Sequence, residues 1–337
     1  MRAVTTAGMA AAVVLVSAPM ARVLLARARV VDIPNTRSSH LEETTRGGGV
    51  AVALGCTVAA LVSRQIAGVP RAGLLVAAVG MGLIGLVDDL RPLEPGPRLV
   101  AQIAISAVAV SLLDRSLQGP LPWQAIFSVG AFVWIVGYVN AFNFMDGING
   151  ISVAQAVVAG VTWWILGATQ HAPALAVAGA VVAAASTAFA PFNLPRARMF
   201  LGDVGSYFLG GWMAATAVIG LRSGIAPEAV LSPLALYCVD TSITLIGRVR
   251  RGEPWNRPHR QHVYQRLVHG GWSHTRTTLS VASAMTACSA LGALSLTGSV
   301  ARRAVGDLLI AAVLVAYVTN PWAHPRPGPG DVTADVS

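Results

Sequence analysis

Apolar residues in this chain run in long blocks separated by short polar segments, with little of the two-residue alternation that marks half-buried strands. A helix needs about 20 apolar residues to cross the hydrocarbon core of a bilayer. Eleven segments approach that requirement, near residues 7–26, 48–66, 72–88, 99–114, 122–140, 151–167, 173–191, 206–221, 229–247, 278–298 and 304–320. The predicted fold is all-α, a polytopic integral membrane protein with about 10–11 transmembrane helices and its functional loops on one side. Residues 1–320 read as a single membrane-embedded domain, and 321–337, rich in Pro and Gly, as a tail expected to be disordered. The first apolar run follows Arg2 and has signal-peptide traits, but the arginine-rich stretch after it fits a cytosolic loop, so it is read as the first span.

Composition agrees with this pattern and narrows the function classes. Of 337 residues, 54% are hydrophobic and 12% charged, more apolar surface than one soluble core can hide. The net charge of +9 comes from arginine alone, since the chain has no lysine. Such a charge invites a nucleic-acid reading, but the arginines sit between apolar runs without interleaved stacking aromatics, so nucleic acid is excluded as a partner. They read instead as anchors beside the membrane. In alternate connections they concentrate on one side, with Arg27, Arg29, Arg37, Arg46, Arg91, Arg98, Arg196, Arg198 and the run from Arg248 to Arg266. The other side holds Arg64, Arg71, Arg115, Arg222, Arg302 and Arg303. The positive-inside rule makes the first set cytosolic, with the N-terminus outside and the C-terminal tail inside. Cys56, Cys238 and Cys288 are isolated in apolar stretches and read as small core residues.

Five segments on the arginine-rich side hold nearly all the unusual polar residues: 32–49, 87–98, 140–150, 192–206 and 253–267. Asp88 and Asp89 close the third predicted span, where the negative end of the helix dipole disfavours adjacent carboxylates, so a cation is expected beside them. A metal, a metal-bearing phosphate substrate, Arg91 or Arg98 could each fill that role. In NAFNFMDGING, Asn140, Asn143 and Asp146 recur every third residue, and their oxygens are hard ligands suited to Mg²⁺. Asn149 alone is explained as a helix cap. Asp203, in FLGDVGS, precedes the eighth span, where it fits an N-cap, a metal ligand, or a phosphate site at a helix start. Arg257, His259, Arg260 and His262 supply groups for phosphate contact or proton transfer. Arg37, His40, Arg46 and Gly47–Gly49 form a further basic loop with a glycine hinge. Asp240 stands apart as a carboxylate inside the ninth span, a candidate for function or for pairing with Arg248.

In this order and on one face, the paired aspartates, NxxNxxDGxNG, FxGDxGS and the final His-containing loop resemble the polyprenyl-phosphate N-acetylhexosamine-1-phosphate transferases. That superfamily includes the enzymes that initiate O-antigen and teichoic-acid synthesis and the phospho-MurNAc-pentapeptide transferase, and the resemblance covers about residues 30–275. It implies a bacterial plasma-membrane enzyme with its site facing the cytosol. A polyprenyl phosphate would attack the β-phosphorus of a UDP-N-acetyl sugar and release UMP. The resemblance further implies Mg²⁺, or Mn²⁺ in its place, at Asp203 and Asn143, and catalytic roles for Asp88, Asp89, Asp146 and His259. Phe200 would stack the uracil, while Arg37, His40, Arg98, Asn149, Arg257, Arg260 and His262 would contact substrate. Membrane lipid is an implied partner, and a homodimer is an open option. Because the last loop reads PHRQH rather than carrying three closely spaced histidines, the O-antigen or teichoic-acid branch is expected over the muramoyl-pentapeptide one.

A secondary transporter is the competing class. It would place polar residues at the bilayer midplane, and only Asp240 fits that. A lipid-binding protein without catalysis would need the basic loops but not the four aspartates.

Overall fold

A computed structural model describes residues 3–32, 43–114, 120–254 and 259–320. Its helices are α1 (Ala3–Arg27), α2 (Gly49–Val62), α3 (Val69–Leu90), α4 (Pro95–Asp114), α5 (Leu121–Met145), α6 (Ile151–Thr169) and α7 (Pro173–Asn193). After these come α8 (Gly202–Arg222), α9 (Pro227–Leu231), α10 (Ala235–Arg250), α11 (Val263–His269), α12 (His274–Gly292) and α13 (Val300–Val318). Two antiparallel strands of two residues each, β1 (Val31–Asp32) and β2 (Thr44–Thr45), brace the loop before α2.

All eleven predicted segments are helical. Among the described residues, nine helices are long and apolar enough to span a bilayer, which makes this a multi-pass membrane protein. The remaining two are α2, of 14 residues, and α13, which carries Arg302, Arg303 and Asp307 near its start. The ninth span is broken into α9, a 3₁₀ turn over Ser232–Leu234, and α10. Pro233, which has no amide hydrogen to give the helix, lies at the break. Apolar blocks alone do not predict α11, a seven-residue helix lying between spans.

At the centre stands α8, buried without interruption from Val204 to Gly220. A helix that is apolar all round belongs inside a bundle, and α8 packs most extensively against α3, then α5 and α2. Small residues allow that approach, as is usual where lipid offers no hydrophobic drive between helices. A Cβ on Gly85 of α3 would lie 2.1 Å from the Asp203 carbonyl oxygen, so only glycine brings the end of α3 onto the start of α8. Indole groups stitch the bundle where water cannot: Trp134 Nε1 donates to the Ala214 carbonyl at 3.2 Å and Trp212 Nε1 to that of Ala178 at 3.1 Å. The outer helices turn Leu15, Val16, Val100, Ile103, Leu308 and Val315 outward, as lipid-facing surfaces require.

Candidate active site

The ends of α3 and α5, the start of α8 and the segment before α2 meet at one end of the bundle. Asp89 is fixed there by three contacts. Its two oxygens accept hydrogen bonds from the backbone amides of Asp203 and Val204, each at 2.9 Å, so a residue 114 positions earlier caps α8. Gly202, at φ +73°, makes the turn, and a Cβ on it would sit 2.6 Å from Asp89 Oδ2. Arg46 completes the arrangement, its Nε lying 2.6 Å from Asp89 Oδ1 and its Nη2 2.5 Å from Asp203 Oδ2. Burial alone would lower the Arg46 pKa, but Asp203 and Asp89, with Asp32 and Asp88 beyond them, hold it above its ordinary range. The glycine run after Arg46 joins the same corner: the amides of Gly48 and Gly49 donate to the carbonyls of Phe200 and Leu201, and the Phe200 amide donates to Thr45.

Asp88 points elsewhere. Its Oδ2 accepts from Arg98 Nη1 at 3.0 Å and its Oδ1 from the Leu93 amide at 2.7 Å, closing the turn between α3 and α4. The Arg98 guanidinium lies 6.0 Å from the ring centre of Tyr207, one turn along α8 from Asp203. On the α5 side, Asn143 Nδ2 donates to Asp203 Oδ1 at 3.0 Å and to Ser206 Oγ at 2.9 Å. Asp146 ends α5 three residues later, half-buried, and burial pushes its carboxyl up to about 7, with Asp203 and Asp89 adding to the rise. Two carboxylates bridged by one guanidinium, beside an amide side chain and a second Asp–Arg pair, make a compact polar centre. It can hold a cation, bind phosphate oxygens and accept a proton.

The histidine loop is built around Asp240. This carboxylate is fully buried and accepts from the Val263 amide at 3.1 Å, from Tyr317 Oη at 2.7 Å and from Thr244 Oγ1 at 3.2 Å, with His262 Nδ1 3.0 Å away. Arg248, the partner considered from sequence, turns instead to Glu253 at 2.9 Å and the Pro254 carbonyl at 2.5 Å. The ring of His262 lies 4.9 Å from that of His259 and 6.2 Å from that of Phe144, and Tyr264 Oη donates to the Phe144 carbonyl at 3.0 Å. These contacts tie the loop to the turn that carries Asp146.

The structure thus brings Asp88, Asp89, Asn143, Asp203 and Arg98 to one corner, with Asp146 beside it. Both oxygens of Asp89 are engaged by the start of α8 and by Arg46. Those same amides are spent on Asp89, which removes them as a phosphate cradle and takes the N-cap role from Asp203. His262 is buried, with its Nδ1 3.0 Å from Asp240, and so ties the loop to α10. Asn149 fastens a turn: its Nδ2 donates to the Pro195 carbonyl, while its own carbonyl accepts from Thr278. Asn140 leaves the predicted stripe to donate to Gln102 Oε1 at 2.7 Å. His259 and Phe200 are half-buried and Arg260 is exposed. Arg37, His40 and Arg257 lie outside the described residues. Sequence reasoning noticed Arg46 only as part of a basic loop. Its place just before a glycine run at a span start, on the side already rich in aspartate, was the available signal.

The family model described as Glycosyl transferase family 4 matches residues 71–221, the stretch from α3 to α8. A probable undecaprenyl-phosphate N-acetylglucosaminyl 1-phosphate transferase of Bacillus subtilis is 25% identical over 278 residues, covering 80% of this chain and 78% of the relative. A decaprenyl-phosphate N-acetylglucosaminephosphotransferase of Mycobacterium tuberculosis is 29% identical, covering 77% and 74%. A phospho-N-acetylmuramoyl-pentapeptide-transferase of Desulforudis audaxviator is 27% identical, covering 81% and 92%. The matched stretch holds both halves of the aspartate corner, and the relatives extend over the histidine loop as well. In its many-helix membrane fold and its order of motifs, the chain is similar to the transferases of glycosyl transferase family 4.

Proposed function

We propose that the protein transfers an N-acetylhexosamine 1-phosphate from a UDP-N-acetyl sugar, GlcNAc or a close relative, to a polyprenyl phosphate. A non-bridging oxygen of the lipid phosphate attacks the β-phosphorus, the bond from that phosphorus to the oxygen bridging to the α-phosphorus breaks, and UMP leaves with the bridging oxygen. The product is a lipid-linked pyrophosphoryl sugar that begins a cell-envelope glycan. The observation that carries this reading is the Arg46-bridged pair of Asp89 and Asp203 at the exposed end of a fully buried helix. A soluble nucleotide sugar and a lipid phosphate can meet at such a place. The excess of arginine on the same side supports a cytosolic site.

Catalysis of phosphoryl transfer is mostly positioning and charge stabilisation. Arg46 and Arg98 are held by carboxylates, which fixes where they offer N–H groups to phosphate oxygens. Asp88 is the proposed acceptor of the lipid-phosphate proton, handing its share of Arg98 to the incoming anion. The oxygens of Asp203 and Asn143 are hard donors that fit Mg²⁺. Among the described residues no group of three or more His, Cys, Asp or Glu converges as a metal cage. That suits a cation commonly held by one or two carboxylates together with substrate phosphates. When bound, Mg²⁺ would neutralise the pyrophosphate as a Lewis acid.

The test is UMP release by purified protein given polyprenyl phosphate, Mg²⁺ and a panel of UDP-sugars that includes UDP-MurNAc-pentapeptide. Release from a UDP-N-acetylhexosamine is expected, with Asp203→Asn slower by at least ~100-fold. Absence of release from every donor, together with solute uptake in proteoliposomes, would overturn the reading. Preference for the pentapeptide donor would move the protein to the muramoyl branch.

A further inference from the structure

A second polar feature lies on the same face, outside the aspartate corner. Between the end of α10, α11 and the end of α13 is a cavity of about 420 Å³ lined by Ile243, Thr244, Gly247, Arg251, Gln261, Arg266 and Val318. Its two halves differ in chemistry. Ile243 comes from α10 and Val318 from the end of α13, and the outer face of α10 continues through exposed Ile246 and Val249. Arg251 and Arg266 supply the cavity's charged lining. The Arg251 guanidinium is fixed in place, its Nε 2.6 Å from Glu253 Oε1 and its Nη2 2.8 Å from Gln261 Oε1.

Charge here is out of balance. Six arginines and a single acidic residue, Glu253, lie between positions 248 and 266. Glu253 is already shared between Arg248 and Arg251. Burial lowers the Arg266 pKa, with the Asp240 carboxylate acting against it and Arg251 adding to it, so the two arginines face each other across the cavity lining. A water-borne anion would need only the cations. An apolar wall beside paired arginines suits a ligand with a charged head and hydrocarbon tails.

The geometry points to a binding site for an anionic phospholipid, its headgroup phosphate between Arg251 and Arg266 and its chains along Ile243 and Val318. Nothing in the transferase chemistry requires this site. Its position nonetheless matters, because Gln261 and Thr244 stand between the cavity and the histidine loop. Thr244 bonds Asp240, which in turn holds His262, and Gln261 bonds Arg251 and Glu253. A seated headgroup therefore braces the loop.

The experiment uses the full chain in nanodiscs of phosphatidylcholine with graded phosphatidylglycerol. Native mass spectrometry counts retained lipid, and amide hydrogen exchange reads residues 261–265. Phosphatidylglycerol is expected to be retained over phosphatidylcholine and to slow exchange in the loop. Arg251→Gln and Arg266→Gln should each weaken retention by about fivefold, the worth of one arginine at a membrane surface. Arg302→Gln, the same charge change at the far end of α13, should leave it unaltered. Because Arg266→Gln could impair folding, Gly247→Leu gives a second arm: it fills the cavity at constant charge and should abolish retention. Wild-type retention in both arginine variants, or in Gly247→Leu, overturns the proposal. Equal loop protection by inorganic phosphate overturns it too, because the site would then be one for a soluble anion. Neither readout depends on turnover, so the proposal and the transferase reading fail separately.

Discussion

Two buried carboxylates, Asp89 and Asp240, do the same structural job in different company. Each receives the backbone amides at the start of a helix, Asp89 for α8 and Asp240 for α11. At Asp89 the remaining partner is Arg46, a permanent cation about a third exposed and shared with Asp203. At Asp240 the other partners are an imidazole, a tyrosine hydroxyl and a threonine hydroxyl, all on buried residues. An arginine at the rim can pass some of its hydrogen bonds to an arriving phosphate. A saturated interior network has nothing to pass on. The first arrangement is built for exchange and the second for rigidity.

The comparison breaks most sharply at Arg46. Arg46→Gln leaves Asp89 and Asp203 facing each other without their cation, and turnover is expected to fall ~100-fold or more, with partial recovery in Arg46→Lys. Steady-state UMP release measures this, and near-normal turnover would show the bridge to be only structural. A smaller effect, on stability, is expected at Asp240→Asn. The change removes one acceptor oxygen and costs about 1–3 kcal/mol, read as a lowered thermal midpoint, while the donor preference stays as in wild type. A shifted preference among UDP-sugars would mean that the interior network also shapes the sugar site.

The smallest effect concerns pH. Burial, then His262 and Arg248 nearby, lower His259 to about 4, below the ordinary value for an imidazole, so it is neutral across neutral pH. The unfolded chain takes up this proton first. The contribution of His259 to stability is thus complete above pH ~6.5 and fades as pH falls toward 4. Denaturation midpoints from pH 4 to 8 should show a shallow acid limb, worth about 1 kcal/mol or less because the ring is half-exposed, that His259→Gln removes. A limb centred near neutrality would show that His259 carries a proton in the working range.

Much of this molecule is legible from its pattern. Apolar block length depends on the bilayer alone, which is why the order of the spans follows from sequence, while edges such as the start of α8 lie a few residues away from the reading. Asp88, Asp89 and Asp203 stand out in sequence because carboxylates are scarce in this chain and these three fall on one side, and Asn143 stands out by its spacing from Asn140 and Asp146. Partners were not. Asp89 meets Asp203 across 114 positions and Tyr317 meets Asp240 across 77, and no spacing rule reaches that far. An exposed and a buried histidine look alike in sequence, and the burial of His262 becomes visible only with the capping box at α11, where Gln265 Oε1 accepts from the His262 amide. The 3₁₀ break at Pro233 was hidden inside an apolar block that reads as continuous.

The burial of α8 has a consequence for the membranes in which this protein can work. A helix touched by lipid must tilt, or thin the bilayer around it, when its apolar length and the hydrocarbon thickness differ. From Val204 to Gly220, α8 has no lipid neighbours and so no thickness to match. Helices at the rim, such as α1 and α4, can absorb that adjustment while Asp203 keeps its height and bearing. Membrane composition can change around the bundle without retuning the geometry at its polar end.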